Sequence, residues 1–463
     1  MPCGEVPAVF RLVCSFCGVL WSGVLAGSVF AVESAAEAPR PNFIFIMADD
    51  LGWADVAFHG GNTPTPNLDA LASRSLELTQ HYVAPVCSPT RAGLLTGRYW
   101  SRFGVTTPQN QRALPWDTVT LGGMLRSVGY DTALVGKWHL GSAPEEGPNR
   151  FGFDHAYGSL AGGVSPWNHR YKQGPWTRTW HRNGELIEET GHVTALLTDE
   201  AIRWIGERDS RPFLLYVPYT AVHLPVKEPE SWVAKVPESI TGDVPRHYAA
   251  SILHLDDGVG RILKELDRRG LADNTLVVFT SDNGGSTAEN NDLKYPDDNC
   301  PNGPLPGNNL PLRGKKGDLY EGGTRVPTLV AWPNRIAAGR SAVPTQITDW
   351  FPTFAALAGY DVSSDLALDG TDLSGVLLRG ESMPERPLYA VGTSARSKSL
   401  RQGDWKLIVF GDHAKGGRTE LYRIDADPEE ANNLASSEPD RVEKLLAEMD
   451  RIGRADGDSQ VTE

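Results

Sequence analysis

An α/β fold built on a doubly wound, mostly parallel sheet flanked by helices is the class this sequence predicts. Two observations carry it. Apolar, β-prone runs alternate along the chain with stretches of helical spacing, and polar clusters follow four of those runs. Open sheets of this kind bind ligands at the carboxyl ends of their strands, which is where the clusters fall. In chain order, Phe43 to Met47 reads as the first strand and Asn67 to Arg74 as a helix. Leu121 to Val128 reads as the next helix and Thr132 to Val135 as a strand; His192 to Arg208 and Phe213 to Val217 repeat that order. His247 to Arg269 is a long helix, Leu276 to Thr280 and Thr328 to Trp332 are strands, and Asp349 to Ala358 closes the series as a helix.

The chain has 463 residues, and no Ser/Gly linker, charge block or internal repeat divides it. A formal charge of −14 excludes a nucleic-acid-binding surface from the expectations and opposes long-range capture of a polyanion, so any anion selectivity must be local. Residues 1–32 read as a signal peptide: Arg11 precedes an uncharged apolar run from Leu12 to Val32, with Val29-Phe30-Ala31 as the cleavage pattern and Ser34-Ala35-Ala36 as a second site. The run is also nearly long enough to span a bilayer, so an uncleaved membrane anchor is the alternative. Both readings export the chain. Cys3, Cys14 and Cys17 lie in this leader, which leaves Cys87 and Cys300. No Asn-x-Ser/Thr acceptor occurs, which points to a bacterial periplasm or exterior.

The polar clusters are Asp49-Asp50, Lys137-Trp138-His139, His223 and Asp282-Asn283. Each alone fits a solvated turn or a helix cap; together, in register, they predict one shared site. Asp49, Asp50, Asp282 and Asn283 offer only hard oxygen donors, which suits calcium or magnesium and disfavours zinc, with calcium the better match to several carboxylates in an exported protein. Cys87 stands two residues before Pro89 with Arg91 one turn on. That is a poor place for a disulfide and a good place for an anion to meet helix N–H groups.

Cys87-Ser88-Pro89-Thr90-Arg91 resembles the C-x-P-x-R signature of the type I sulfatases, and Leu95-Thr96-Gly97-Arg98 matches its extension. Gly136-Lys137-Trp138-His139-Leu140-Gly141, the loop Pro218 to Pro225 around His223, Ser281-Asp282-Asn283-Gly284, and Arg313-Gly314-Lys315-Lys316-Gly317 leading to Glu321 through Pro327 resemble further segments of that family. The resemblance implies an alkaline-phosphatase-like fold and a formylglycine made from Cys87 by a formylglycine-generating enzyme. It also implies Ca2+ on Asp49, Asp50, Asp282 and Asn283, with residue 87 itself as a further ligand. It assigns Arg91 and Lys137 to the nucleophile's oxyanion, His139 to base catalysis, and His223 and Lys316 to the leaving oxygen, with His223 taken as the acid. The one departure is Thr90, where many members carry Ser or Ala. The tail, from Leu400 through Lys406 to Asp427-Pro428-Glu429-Glu430 and Asn433-Leu434, implies a small C-terminal antiparallel sheet plus helix, and Val442 to Ile452 has the spacing for that helix. The expected division is a signal peptide at 1–32, a catalytic α/β domain at 33–380 and a C-terminal subdomain at 381–463.

The chemistry accounts for the residue types. A sulfate monoester is anionic, so a nucleophile approaching sulfur needs the oxygens neutralised by metal and cations such as Lys137 and Lys316. A thiol offers no easy route to release sulfate. Hydrated formylglycine attacks through one hydroxyl, forms a formylglycine-sulfate intermediate, and expels sulfate when the other hydroxyl is deprotonated. Trp167, Arg170, Trp176 and Arg178 interleave aromatics with cations, as a groove stacking sugars and pairing sulfates does; the alternative is a loop whose tryptophans pack inward. The expected function is a sulfuric ester hydrolase acting on an aryl or carbohydrate sulfate. A phosphonate or phosphate ester hydrolase of the same superfamily and a non-catalytic sulfated-glycan binder are the alternatives. Nothing in the sequence sets an oligomeric state.

Overall fold

In the computed structural model, which describes residues 40–461 apart from 173, 292 and 294–297, the strand Asn42–Ala48 (β1) is buried at every position. It lies near the middle of a ten-stranded sheet. The other strands of that sheet are Leu76–Leu78 (β2), Asp131–Lys137 (β3), His155–Ser159 (β4), Trp180–Arg182 (β5), Glu185–Leu186 (β6), Phe213–Pro218 (β7), Thr275–Ser281 (β8), Leu329–Ala331 (β9) and Gly339–Ser341 (β10). Across the sheet they run β10-β2-β9-β8-β1-β7-β3-β4-β5-β6. The central strands β8, β1, β7, β3 and β4 are all parallel, whereas β9 pairs antiparallel with β8, and β5 antiparallel with β4. The sequence-predicted leader and its alternative cleavage site lie outside the described residues. Among those described, no helix is long and apolar enough to cross a membrane.

Side-chain alternation along β1 builds the two helical layers. Phe43, Phe45 and Met47 face Cys87–Thr96 (α2), Leu121–Ser127 (α3) and Trp350–Ala358, and the Phe43 and Phe354 rings stack at 4.3 Å. Ile44, Ile46 and Ala48 face the opposite layer, where Pro66–Ala72 (α1), Val193–Gly206 (α4) and Asp243–Arg269 (α5) supply Leu68, Leu71, Leu197, Ala201, Ile252 and Leu255. The α5 helix begins earlier than the sequence pattern indicates, because Pro245 sits in its first turn, where no N–H has an intrahelical partner to lose. The α4 helix begins one residue later than expected, since His192 is its cap and accepts from the Thr194 N–H. The tail forms the implied small antiparallel sheet, with four strands, Pro387–Val391, Ser397–Gln402, Trp405–Phe410 and Arg418–Arg423, each paired with the next. Its apolar face, Leu400, Leu407 and Leu421, packs on Leu445, Met449 and Ile452 of the helix Pro439–Gly453.

Candidate active site

Strand pairing continues past the carboxyl ends of β1, β7 and β8 and fixes the backbone there. Asp49 N–H donates to Ala221 O at 2.9 Å, Val222 N–H to Asp49 O at 2.8 Å and Asp282 N–H to Ala48 O at 3.0 Å. Asp49, Asp50, Asp282 and Asn283 are fully buried on these extensions. Three cations meet them. Lys137, at the end of β3, places Nζ 2.6 Å from Asp49 Oδ2. Arg91, one turn into α2, donates to Asp282 Oδ2 at 2.8 Å and to the Lys137 carbonyl at 2.6 Å. Lys316 places Nζ 2.6 Å from Asp50 Oδ1, whose other neighbour is the Asn283 amide at 2.8 Å. The expected metal and cation residues therefore fall in one pit.

Cys87 is the first residue of α2 and is 1 % exposed at this pit. Burial pushes its thiol above the usual range, and the pull of Lys137 and Lys316 only partly offsets this. An unmodified Cys87 is thus a protonated, weak nucleophile. Thr90, the residue that departs from the family pattern, is put to use: its hydroxyl donates to Asp282 O at 2.6 Å and accepts from Ala84 N–H at 2.9 Å, tying α2 to the end of β8.

Two buried oxygens in the pit, Asp49 Oδ1 and Asn283 Oδ1, have no hydrogen-bond partner. Burial and then the Asp282 charge push Asp49 up to about 8, against the opposing pull of Lys137. Burial also acts to raise Asp50, yet Lys316 and His223 outweigh it and hold that carboxyl well below the usual range. Orphaned oxygen donors among three carboxylates fit a hard divalent cation, with Asp49, Asp50, Asp282 and Asn283 as the residues that would hold it.

His139 follows β3 in the left-handed backbone region (φ 60°), and both ring nitrogens are buried without a partner. Burial, then Lys137 and Arg91, depress it well below the ordinary histidine range, so the ring is neutral. Gly162 is what makes room for it: a Cβ there would stand 2.2 Å from His139 Nε2. The substitution Gly162→Ala is therefore expected to displace the ring and, on the general-base role that the sequence resemblance implies for His139, to lower kcat by about 10²-fold or more with KM changed far less. Steady-state kinetics on one ester check this; an unchanged kcat would remove His139 from the chemistry.

His223 donates from Nδ1 to the Leu224 carbonyl, so its neutral ring carries the lone pair on Nε2, 3.9 Å from Asp50 Oδ2. Burial and then Lys316 hold this ring well below the usual range. In that state it accepts a proton; it donates one only as imidazolium. Lys316 carries a standing ammonium beside it.

The four aromatic and cationic residues of the loop from 160 to 179 do not make one surface. Arg170 and Arg178, both more than half exposed, reach Glu188 Oε1 at 4.0 and 3.3 Å and share a pocket of about 440 Å³ with Trp180 and Ile187. Trp167 donates to Lys227 O at 3.0 Å and lies edge-on to His192. Trp176 packs inward with Ala161 and Tyr171. A second cluster, which no contiguous motif announces, comprises His192, Glu228 and His254. His254 Nδ1 meets Glu228 Oε2 at 2.7 Å. The Thr194 N–H on His192 Nδ1 puts the His192 proton on Nε2, which points at the same carboxylate from 3.6 Å. The His254–Glu228 pair joins α5 to the loop after His223, while His192 Nε2 faces the same carboxylate with no hydrogen-bond partner of its own.

The Sulfatase family model matches residues 41–360. Arylsulfatase J of Mus musculus is 30 % identical over 477 residues, spanning 90 % of this chain and 77 % of the relative. N-acetylgalactosamine-6-sulfatase of Mus musculus is 35 % identical over 394 residues, spanning 80 % and 72 %. Among solved structures, Ps i-CgsB in complex with k-i-k-neocarrahexaose superposes with a TM-score of 0.81 at 32 % identity, covering 92 % of this chain and 95 % of that one. The phosphonate monoester hydrolase of Agrobacterium radiobacter, at 21 % identity and a TM-score of 0.62, shares the fold. With a family model over most of its length and sulfatase relatives covered to two thirds or more, the chain belongs to the sulfatase family and is a sulfuric ester hydrolase acting on a sulfate ester.

Proposed function

We propose that the chain is an exported sulfatase that depends on calcium and on formylglycine made from Cys87, and that removes sulfate from a carbohydrate. The observation that carries this reading is the pit itself: Cys87 at the start of α2 faces four oxygen-donor residues and three cations, and its own thiol is too basic to serve. Formylglycine at this position supplies a hydrated aldehyde whose hydroxyl is the nucleophile, and the cation supplies charge neutralisation for sulfate oxygens. Lys137 and Arg91 hold negative charge developing beside residue 87. Neutral His139 accepts the hydroxyl proton, and Lys316 and His223 face the leaving oxygen, with Lys316 already protonated.

A carbohydrate substrate is supported by the relatives named for N-acetylgalactosamine 6-sulfate and by the neighbour solved with k-i-k-neocarrahexaose. Arg170 and Arg178, more than half exposed beside Glu188, are cations of the loop from 160 to 179 open to a further sulfate. Export rests on the leader at 1–32, and maturation on the Leu95 to Arg98 element read by a formylglycine-generating enzyme. Matched sulfate, phosphate and phosphonate esters of one aryl alcohol test the reaction class. The sulfate ester is expected to turn over at least about 10²-fold faster by kcat/KM, a difference of about 2.7 kcal/mol in transition-state binding. A preference for either phosphorus ester overturns the reading, and absence of turnover on all three esters and on sulfated oligosaccharides would favour a glycan binder.

A further inference from the structure

Lys316 rides on a loop that is clamped on the side away from the pit. Toward the pit, Lys316 N–H donates to Gly285 O at 3.2 Å and Gly317 N–H to Pro85 O at 2.8 Å. The loop closes on itself where Gly322 N–H donates to Arg313 O at 2.7 Å. Its two ends are then gripped by one residue of the tail. Glu430 accepts the Glu321 N–H on its carboxylate at 2.7 Å, and its carbonyl accepts from the Arg313 guanidinium at 2.9 Å. Lys406, on the C-terminal sheet, lies 2.8 Å from Glu321 and 2.9 Å from Glu430. Tyr82 donates to the other Glu321 oxygen at 2.7 Å.

This arrangement is costly. Glu321 and Glu430 are both fully buried, Lys406 is 2 % exposed, and Glu430 occupies the left-handed backbone region with φ 53°. The two buried carboxylates share Lys406, and Glu321 has Arg325 at 3.4 Å as well, yet buried ion pairs are a poor source of stability compared with an apolar contact. What they provide is a fixed distance between residues 313 and 321, and so a fixed height for Lys316 over Asp50.

We propose that Glu430 is a positioning residue for Lys316: the tail clasps both ends of the lysine's loop and holds its ammonium where the leaving oxygen departs. This rests on the reading of Lys316 as a group that faces the leaving oxygen. Glu430 touches neither substrate nor the reacting atoms. Its removal therefore acts through the protonation of the leaving group, and the loss grows as that group becomes a poorer one.

The test is kcat/KM of the full-length enzyme on aryl sulfates ranging from 4-nitrophenyl to phenyl. Lys316→Ala is expected to steepen the dependence on leaving-group basicity, costing about 10-fold on the first ester and about 10³-fold on the second. Glu430→Ala is expected to steepen it in the same direction by about 10-fold across the series, and Glu430→Gln, which keeps an oxygen for the Glu321 N–H, to restore most of the slope. Arg313→Met loosens the other end of the clasp at an exposed position, so it keeps the test open if Glu430→Ala fails to fold; it too is expected to steepen the series. A Lys316→Ala/Glu430→Ala double variant no steeper than Lys316→Ala alone supports the proposal. Equal loss on every ester in Glu430→Ala and Arg313→Met, beside a steep Lys316→Ala, overturns it. An unchanged slope in Lys316→Ala overturns the underlying role of the lysine and the proposal with it.

Discussion

Cys87→Ala protein is expected to release no measurable sulfate from any ester the native enzyme cleaves, a fall of at least about 10⁴-fold in kcat. The size follows from what remains. With the nucleophile gone, Lys137, Arg91 and Lys316 still bind and polarise the sulfate, so residual turnover comes only from water attacking a bound ester. The fold is expected to survive, because the change removes one small buried atom at the first position of α2 and leaves the Thr90 bridge to β8 in place; the cost is about 1 kcal/mol. Free sulfate measured on protein from a host that matures such chains, beside a thermal melt, checks both halves. Mass spectrometry of the Cys87 peptide from the native enzyme is expected to show conversion to the aldehyde. Undiminished release by the Ala variant would remove Cys87 from the mechanism altogether.

Stripping divalent cations is expected to have the next largest effect, a loss of about 10²-fold or more in activity together with a lower Tm. Asp49, Asp50 and Asp282 are fully buried within one pit, and Asp49 Oδ1 and Asn283 Oδ1 face no donor. A bound cation satisfies those oxygens and offsets the burial and the Asp282 repulsion that raise Asp49. At a thousandfold excess over its Kd a ligand of the native state contributes about 4 kcal/mol of stability, enough to move the melt by several degrees. Calcium is expected to restore activity and Tm together, and zinc to restore neither fully, because the donor set is all oxygen. Metal analysis that finds active enzyme free of divalent cations would refute the assignment.

The parts of the site that the sequence announces are those carried on contiguous stretches at strand ends. Asp49-Asp50, Lys137 to His139 and Asp282-Asn283 each follow a run that is recognisable as a strand, and the parallel centre of the sheet puts them side by side. Other features depend on pairs remote in the chain. Gly162 has meaning only against His139, and the cluster of His192, Glu228 and His254 draws on three elements with no common period. The antiparallel setting of β9 is equally invisible, since a short apolar run is the same in both directions. Composition misleads most in the loop from 160 to 179. Alternating tryptophan and arginine looks like one groove, yet Trp176 packs inward while Arg170 and Arg178 pair with Glu188, a partner in a later segment.

All ten residues of α2 are buried, from Cys87 through Leu95 and Thr96, and the helix stops on Gly97, whose φ of 66° and close fit against Phe351 leave that end sealed as well. A folded chain thus presents no handle by which another protein could seize this segment or reach its sulfur. On the proposed maturation, an enzyme that converts Cys87 has to meet the polypeptide while it is still unfolded, so the fraction of active molecules is expected to be set by a race. Folding that runs ahead of conversion traps the thiol permanently, and conditions that delay folding, rather than conditions that stabilise the product, are the ones that raise the yield of working enzyme.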